Sequence, residues 1–450
     1  MLLSVFTACN DKLNVEPAQS VSSDVALATP ENIQNLLVGT YERAGRSNLY
    51  GGRVQVLSEL YGASGHVSWI GTYLEPRQIY NKAIVVTNQF VTDFWLSGYA
   101  LINMANLILD HLHIVTDAED RQRIEGEARF LRALTYFELV RFFGLPYEAG
   151  QSNNQPGVPL SLQGILDYSG DLTIARSTVE EVYAQVIADL TAAYNTLPEE
   201  NSYFADKYTA QALLARVYLQ QGNYAAARDA ANDVIENSGR SLANTFAGAF
   251  NNDDNSPEDV FAIQVTSQDG TNQLIIHYAD QPRGGRGGDI IVEDAYVDRF
   301  DSDTDVRASF FYTSDNNGER LTSKYTNQFG NIPVIRLAEL YLIRAESNIR
   351  LGTTVGASPA DDVNALRTRA NAAPKGTVTL DDVLLERELE LAFEGFLIHD
   401  IKRLQRSISI TENQGNTVLP YNSGRLVYPI PQREMDANPK LVQNEYYSTN

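Results

Sequence analysis

Residues 208–235 constrain the fold more tightly than any other stretch of the chain. Ala212, Leu213, Ala215, Tyr218 and Leu219 recur at helical spacing, Gly222-Asn223-Tyr224 interrupts the pattern, and Ala227, Ala230, Ala231 and Ile235 resume it. Small alanines where the two helices touch let their backbones approach, and a glycine at the break lets the chain reverse. Such a pair cannot bury its faces alone and must stack on further helices.

This helix–turn–helix is the tetratricopeptide pattern. A second copy spans 334–373, with Leu337, Leu340, Tyr341 and Ala345 before Gly352, and Val363, Leu366 and Ala370 after it. The segments 93–143 and 178–220 read as degenerate members of the same series. Around 93–113 a helix runs through Phe94, Trp95, Tyr99, Ile102, Asn106 and Leu109, with Trp95 on its core face. Another runs from Ala118 to Phe143 and stops at Gly144 and Pro146. Thr29-Pro30-Glu31 reads as an N-cap, a proline at the first helical position and an acid in the first turn. Ser177 with Glu180 reads as a capping box ahead of Val179, Tyr183, Val186 and Leu190. The expectation is a mainly α fold: a tetratricopeptide-like helical superhelix with long loop-rich insertions and short β-strands. One composite domain covers 29–450, with helix pairs at about 93–143, 178–237 and 334–404. The insertions, at about 46–92 and 240–332, are rich in Gly, Asn, Asp, Ser and aromatics. Long irregular segments on a rigid scaffold are where binding groups concentrate.

The chain has 450 residues, 43% of them hydrophobic, a balance that fills a large core. Its net charge of −22 repels phosphate backbones and argues against nucleic-acid partners. No apolar run approaches the roughly 20 residues that span a bilayer. The single cysteine excludes internal disulfides and a cysteine-rich zinc site. Cys9 follows Leu2-Leu3-Ser4-Val5-Phe6-Thr7-Ala8, an apolar stretch that ends in two small residues. That arrangement is similar to a bacterial lipobox, with 1–8 as the remnant of a signal peptide; the alternative is a thiol in an unstructured terminus.

Five segments in order resemble the SusD/RagB-like family of outer-membrane glycan-binding lipoproteins of Bacteroidetes: CNDKLNVEP at 9–17, GEARFLRALTYFELVRFFGLPYE at 126–148, IPVIRLAELYLIRAESNIRLG at 332–352, RELELAFEGFLIHDIKRLQR at 387–406 and PIPQREMDANPKLVQN at 429–444. Phe396, Leu397 and Ile398 depart from the basic and aromatic residues that the family often places after the glycine. The resemblance implies lipidation at Cys9, with 9–28 as the lipidated tether and the protein held at the cell surface on the outer membrane. Several acyl chains on one thiol would anchor stably. It also implies an oligosaccharide or polysaccharide ligand and a SusC-like TonB-dependent transporter as partner, with no catalysis and no cofactor.

A sugar ring offers C–H groups on one face and hydroxyls at its edge, so its recognition calls for flat aromatics beside amides, carboxylates or arginine. Trp69 lies in a loop-like run with Tyr73 and Asn81, outside any helical pattern, and is the leading candidate. Its alternative role is a plug between loop and scaffold. The run from Ile276 to Asp289 holds Tyr278, Arg283, Arg286 and several glycines and offers Tyr278 and Arg286; the alternative is a solvated loop. Tyr325, near Lys324 and Asn327, is a further candidate.

No nucleotide, metal or nucleophile motif accompanies these residues. Asp301, Asp303 and Asp305 open like a calcium loop, but Val306 and Tyr312 stand where Gly and Glu are needed. His111 and His113 point to different faces of a helix. Two competing functions remain open: a glycoside hydrolase with paired carboxylates, and a tetratricopeptide scaffold that binds protein segments in a helix-lined groove.

Overall fold

A computed structural model describes residues 27–412 and 415–448. Cys9, the leader remnant and the tether up to residue 26 lie outside them. Helices dominate, in the order α1 (Pro30–Ala44), α2 (Arg53–Gly62), α3 (Leu74–Tyr80), α4 (Gln89–Asp110), α5 (Ala118–Phe143), α6 (Val179–Thr196), α7 (Lys207–Gln221), α8 (Tyr224–Asn237), α9 (Gln273–Tyr278), α10 (Asp294–Val297), α11 (Leu337–Leu351), α12 (Pro359–Arg369), α13 (Leu380–Glu390), α14 (Leu397–Arg403) and α15 (Gln432–Ala437). No helix among the described residues is long and apolar enough to cross a membrane.

The helix ends follow local chemistry. Thr29 caps α1, its side chain accepting from the Asn32 N–H, and Asp117 caps α5 in the same way. The capping box of α6 sits one residue later than expected. The Thr178 hydroxyl accepts from the Glu181 N–H, and the Glu181 carboxylate accepts from the Thr178 N–H. Ser177-x-x-Glu180 and Thr178-x-x-Glu181 both satisfy the pattern, and Gly157 N–H, by donating to the Ser177 carbonyl, leaves Ser177 in the preceding extended segment. Gly222 ends α7 and Gly352 ends α11, each at positive φ (72° and 66°), as the turns between paired helices require.

From α4 to α8 each helix packs on the next, and α11 packs on α8 before α12 packs on α11. Buried ion pairs fasten the seams. Arg132 of α5 grips both Asp189 oxygens of α6 at 2.7 and 2.8 Å while its remaining nitrogen reaches Asn106 of α4. Arg216 of α7 does the same with Glu339 of α11, and Arg344 of α11 with Asp362 of α12. Paired in this bidentate way, the charges fix which residues face each other along the seam.

Between α8 and α11 the chain makes a long excursion. It leaves along β2 (Asp259–Ile263) and returns along β6 (Ile332–Arg336), an antiparallel pair with Ile263 opposite Ile332. Arg336, at the return point, is surrounded by Glu258, Glu390 and Glu394, and Arg307 within the excursion meets Asp305, Glu386 and Glu390. Burial alone would raise the Glu390 carboxyl; Arg369, Arg336 and Arg307 instead hold it well below the usual carboxylate range. The other strands also form two-stranded antiparallel pairs: β1 (Val67–Trp69) with β3 (Ile290–Val292), β4 (Phe311–Thr313) with β5 (Arg320–Thr322), and β7 (Ile408–Glu412) with β8 (Gly415–Leu419).

The 46–92 region differs from the loop-rich reading. It contains α2, all ten of whose residues are buried, polar Gln55 and Glu59 among them. A helix enclosed on every side shows no amphipathic period, so nothing in its pattern separates it from irregular chain. Glu59 is satisfied by the backbone N–H groups of Gly395 and Phe396, and burial raises its carboxyl to about 7.

Candidate functional site

The β1–β3 pairing draws two distant segments together. Trp69 stands opposite Ile290, and beyond the strand end Ile70 N–H donates to the Asp289 carbonyl at 2.8 Å. Gly71 follows at a point where a Cβ would sit 2.6 Å from both the Asp289 carboxylate and the Trp69 ring, so only glycine lets the two strands close. The chain then turns outward into Thr72 and Tyr73, the residue that caps α3.

Tyr73 is 44% exposed. The Arg286 guanidinium lies over its ring, 3.5 Å from the centroid, and donates to the Thr72 hydroxyl at 2.9 Å. Behind them Asp289 stands 3.5 Å from Arg286, an ion pair without hydrogen-bond geometry, and accepts from His277 Nδ1 at 2.8 Å. Burial pushes the His277 imidazole below its ordinary value, and Asp289 only partly opposes this, so the ring is neutral near pH 7 with Nδ1–H toward the carboxylate. Trp69 packs on His277 with ring centroids 5.5 Å apart. Tyr73 meets the same imidazole edge-on at 6.3 Å and Phe90 at 6.5 Å. The result is a half-exposed aromatic with a cation against it, backed by a buried Trp–His–Asp layer.

Trp69, Tyr73 and Arg286 therefore come together. Trp69 lies beneath the surface at 7% exposure, its indole N–H buried without a partner, which fits the plug alternative. Tyr278 and Tyr325 form a separate pair, 5.3 Å apart and both buried, with Phe393 against Tyr278. The Tyr325 hydroxyl donates to the Phe393 carbonyl, and neither ring reaches the surface in this structure. Asn81 is exposed but caps the far end of α3, about 12 Å along the helix from Tyr73. Arg283 is engaged with Asp280 and stacks on Tyr312.

His277, Asp289 and Thr72 escaped sequence reasoning. His277 and Asp289 flank the glycine-rich run, and the turn that brings them into contact follows no period. The glycines were the available signal: Gly285 packs against the Ala279 carbonyl, where a Cβ would come within 1.9 Å.

Comparison with known proteins agrees with this architecture. Residues 11–219 match a family model described as starch-binding and associating with the outer membrane, and residues 301–447 match the SusD family model. The chain is 26% identical to a SusD-like protein, P2, of Formosa agariphila, over 99% of this chain and 97% of that protein. It is 25% identical to the starch-binding protein SusD of Bacteroides thetaiotaomicron, over 77% and 76% of the two. The crystal structure of a SusD superfamily protein from the same species superimposes with a TM-score of 0.82 at 26% identity, covering 92% of this chain and 99% of that one. With both family models matching in succession along the chain and the fold superimposing on a solved SusD superfamily structure, this chain belongs to the SusD/RagB-like family of carbohydrate-binding proteins.

Proposed function

We propose that this protein captures an oligosaccharide or polysaccharide on the surface around Tyr73 and Arg286 and passes it uncleaved to a SusC-like TonB-dependent transporter. The observation that carries this reading is the half-exposed Tyr73 ring with the Arg286 guanidinium against it. An aromatic edge and face for the sugar C–H groups then stands beside N–H donors for its hydroxyls. Trp69, His277 and Asp289 hold the pair in place from below. Asn81 would meet only a ligand long enough to run along α3. Tyr278 and Tyr325 would support the surface from within. Lipid on Cys9 would tether the protein to the outer membrane.

A binding screen of the purified protein against neutral and charged polysaccharides tests the reading, with Tyr73→Ala in parallel. The expected result is retention by at least one polysaccharide, lost in the variant, and no shorter products on long incubation. Release of shorter products would refute the non-catalytic reading, and equal binding by Tyr73→Ala would move the site elsewhere.

A further inference from the structure

A cavity of about 740 Å3 lies away from Tyr73, between α4 and the segment 159–176. On one side stand Trp95, Tyr99 and Ile102, spaced four and three residues apart along one face of α4, with Met104 also on the lining. Leu172, Ile174 and Leu441 oppose them, and Arg43, at the end of α1, lies at the margin. This size and a mostly apolar wall with few polar groups suit a small organic ligand.

The strap over the cavity is pinned at its two ends. Asn103 exchanges hydrogen bonds with the backbone of Ile165, and Asp110 accepts from the Gly164 N–H. At the other end Asn438 donates to the Ile174 carbonyl and Lys440 to that of Thr173. Between these anchors Leu166, Tyr168 and Leu172 are exposed, Tyr168 by 73%. Their hydrophobic area gains by folding inward over an apolar occupant.

Charge narrows the ligand class. The two acids at the cavity each have a basic neighbour: Asp171 has Lys440 at 3.8 Å, and Glu434 has Arg433 at 3.4 Å. Arg43 has none. Its Nε is enclosed by the protein, but among the described residues no acid pairs with the guanidinium, and its two terminal nitrogens are neither enclosed nor hydrogen-bonded. An unpaired guanidinium beside an apolar wall, in a chain of net charge −22, calls for a bidentate anion.

We propose that this cavity is a second ligand site, which binds an amphipathic carboxylate: its aliphatic or aromatic body lies against Trp95 and Tyr99, and its carboxylate meets Arg43. The proposal is independent of the glycan surface.

Decanoate and its uncharged counterpart 1-decanol serve as probes, by calorimetry on the wild-type protein. Trp95 emission in a Trp69→Phe variant gives a second readout, because these are the chain's two tryptophans. The expected result is saturable decanoate binding with a change in Trp95 emission, and a loss of about ten-fold or more in decanoate affinity in Arg43→Gln, as removal of a charge-assisted contact implies. Binding of 1-decanol should be weaker and indifferent to Arg43→Gln, and retention on polysaccharide should be unchanged in that variant. Absence of saturable decanoate binding would overturn the proposal. So would equal affinity for the acid and the alcohol, or an Arg43→Gln protein that binds decanoate as the wild type does.

Discussion

Arg286 lies over Tyr73, its guanidinium carbon 3.5 Å from the ring centroid, although the two come from segments far apart in the chain that the β1–β3 pairing brings together. Each residue orients the other, and both keep surface open to solvent. Replacing either with alanine is expected to weaken polysaccharide binding by about ten-fold or more, the scale of a lost aromatic or cation–π contact. The melting temperature of Tyr73→Ala should stay near that of the wild type, because the ring is half exposed, whereas Arg286→Ala should lower it somewhat, because buried Asp289 then loses its ion-pair partner. Affinity electrophoresis and thermal denaturation on the same preparations check both halves.

Trp69 behaves differently because it is buried. Trp69→Ala leaves a void against His277 and is expected to cost about 3–5 kcal/mol of stability. Chemical denaturation measures the loss directly. A stability unchanged from the wild type would place the ring at the surface instead of beneath it.

Asp189 is fully buried and meets Arg132 through both oxygens, with Arg129 at 3.0 Å. Asp189→Ala strands a guanidinium between α4, α5 and α6, and a loss of about 3–5 kcal/mol follows. Replacing Arg132 with Met as well should recover part of it, since no unpaired charge then remains; a double variant less stable than the single one contradicts this account.

Glu59 supplies a pH dependence. Its carboxyl is raised from 4.5 to about 7 by burial, so its contribution to stability is complete below about pH 4.5 and is lost as pH rises through about 7. Glu59→Gln keeps an acceptor for the Gly395 and Phe396 N–H groups without the charge. Measured from pH 4.5 to pH 8, the stability difference between variant and wild type should move by about 3 kcal/mol in favour of the variant. A flat difference across that range refutes it.

Sequence pattern and structure agree where a helix has one buried stripe. The α7–α8 pair with Gly222 between its members, the α11–α12 pair with Gly352 and the stop of α5 at Gly144 are all written in spacing and punctuation. The fold class was legible for that reason. α2 was not, since its burial on all sides removes the polar face that marks a helix. At the candidate site the aromatic Tyr73 and the cation Arg286 stood out by residue type, and Tyr278 and Tyr325 stood out equally. Only tertiary packing separates the exposed ring from the enclosed ones. The His277–Asp289 contact depends on the turn between them, which the glycines announce without showing which side chains it brings together.

The β2–β6 pair sets the two ends of the excursion side by side, at Ile263 and Ile332. A loop whose ends are already joined can lengthen at a cost that grows only with the logarithm of its length. The exposed turns between those two isoleucines can therefore change length over generations while α8 and α11 stay in register, because Arg307 and Tyr325 hold the rest of the excursion to the frame. A lineage facing a new polymer in its surroundings has variable turns to hand, mounted on a frame that need not change with them.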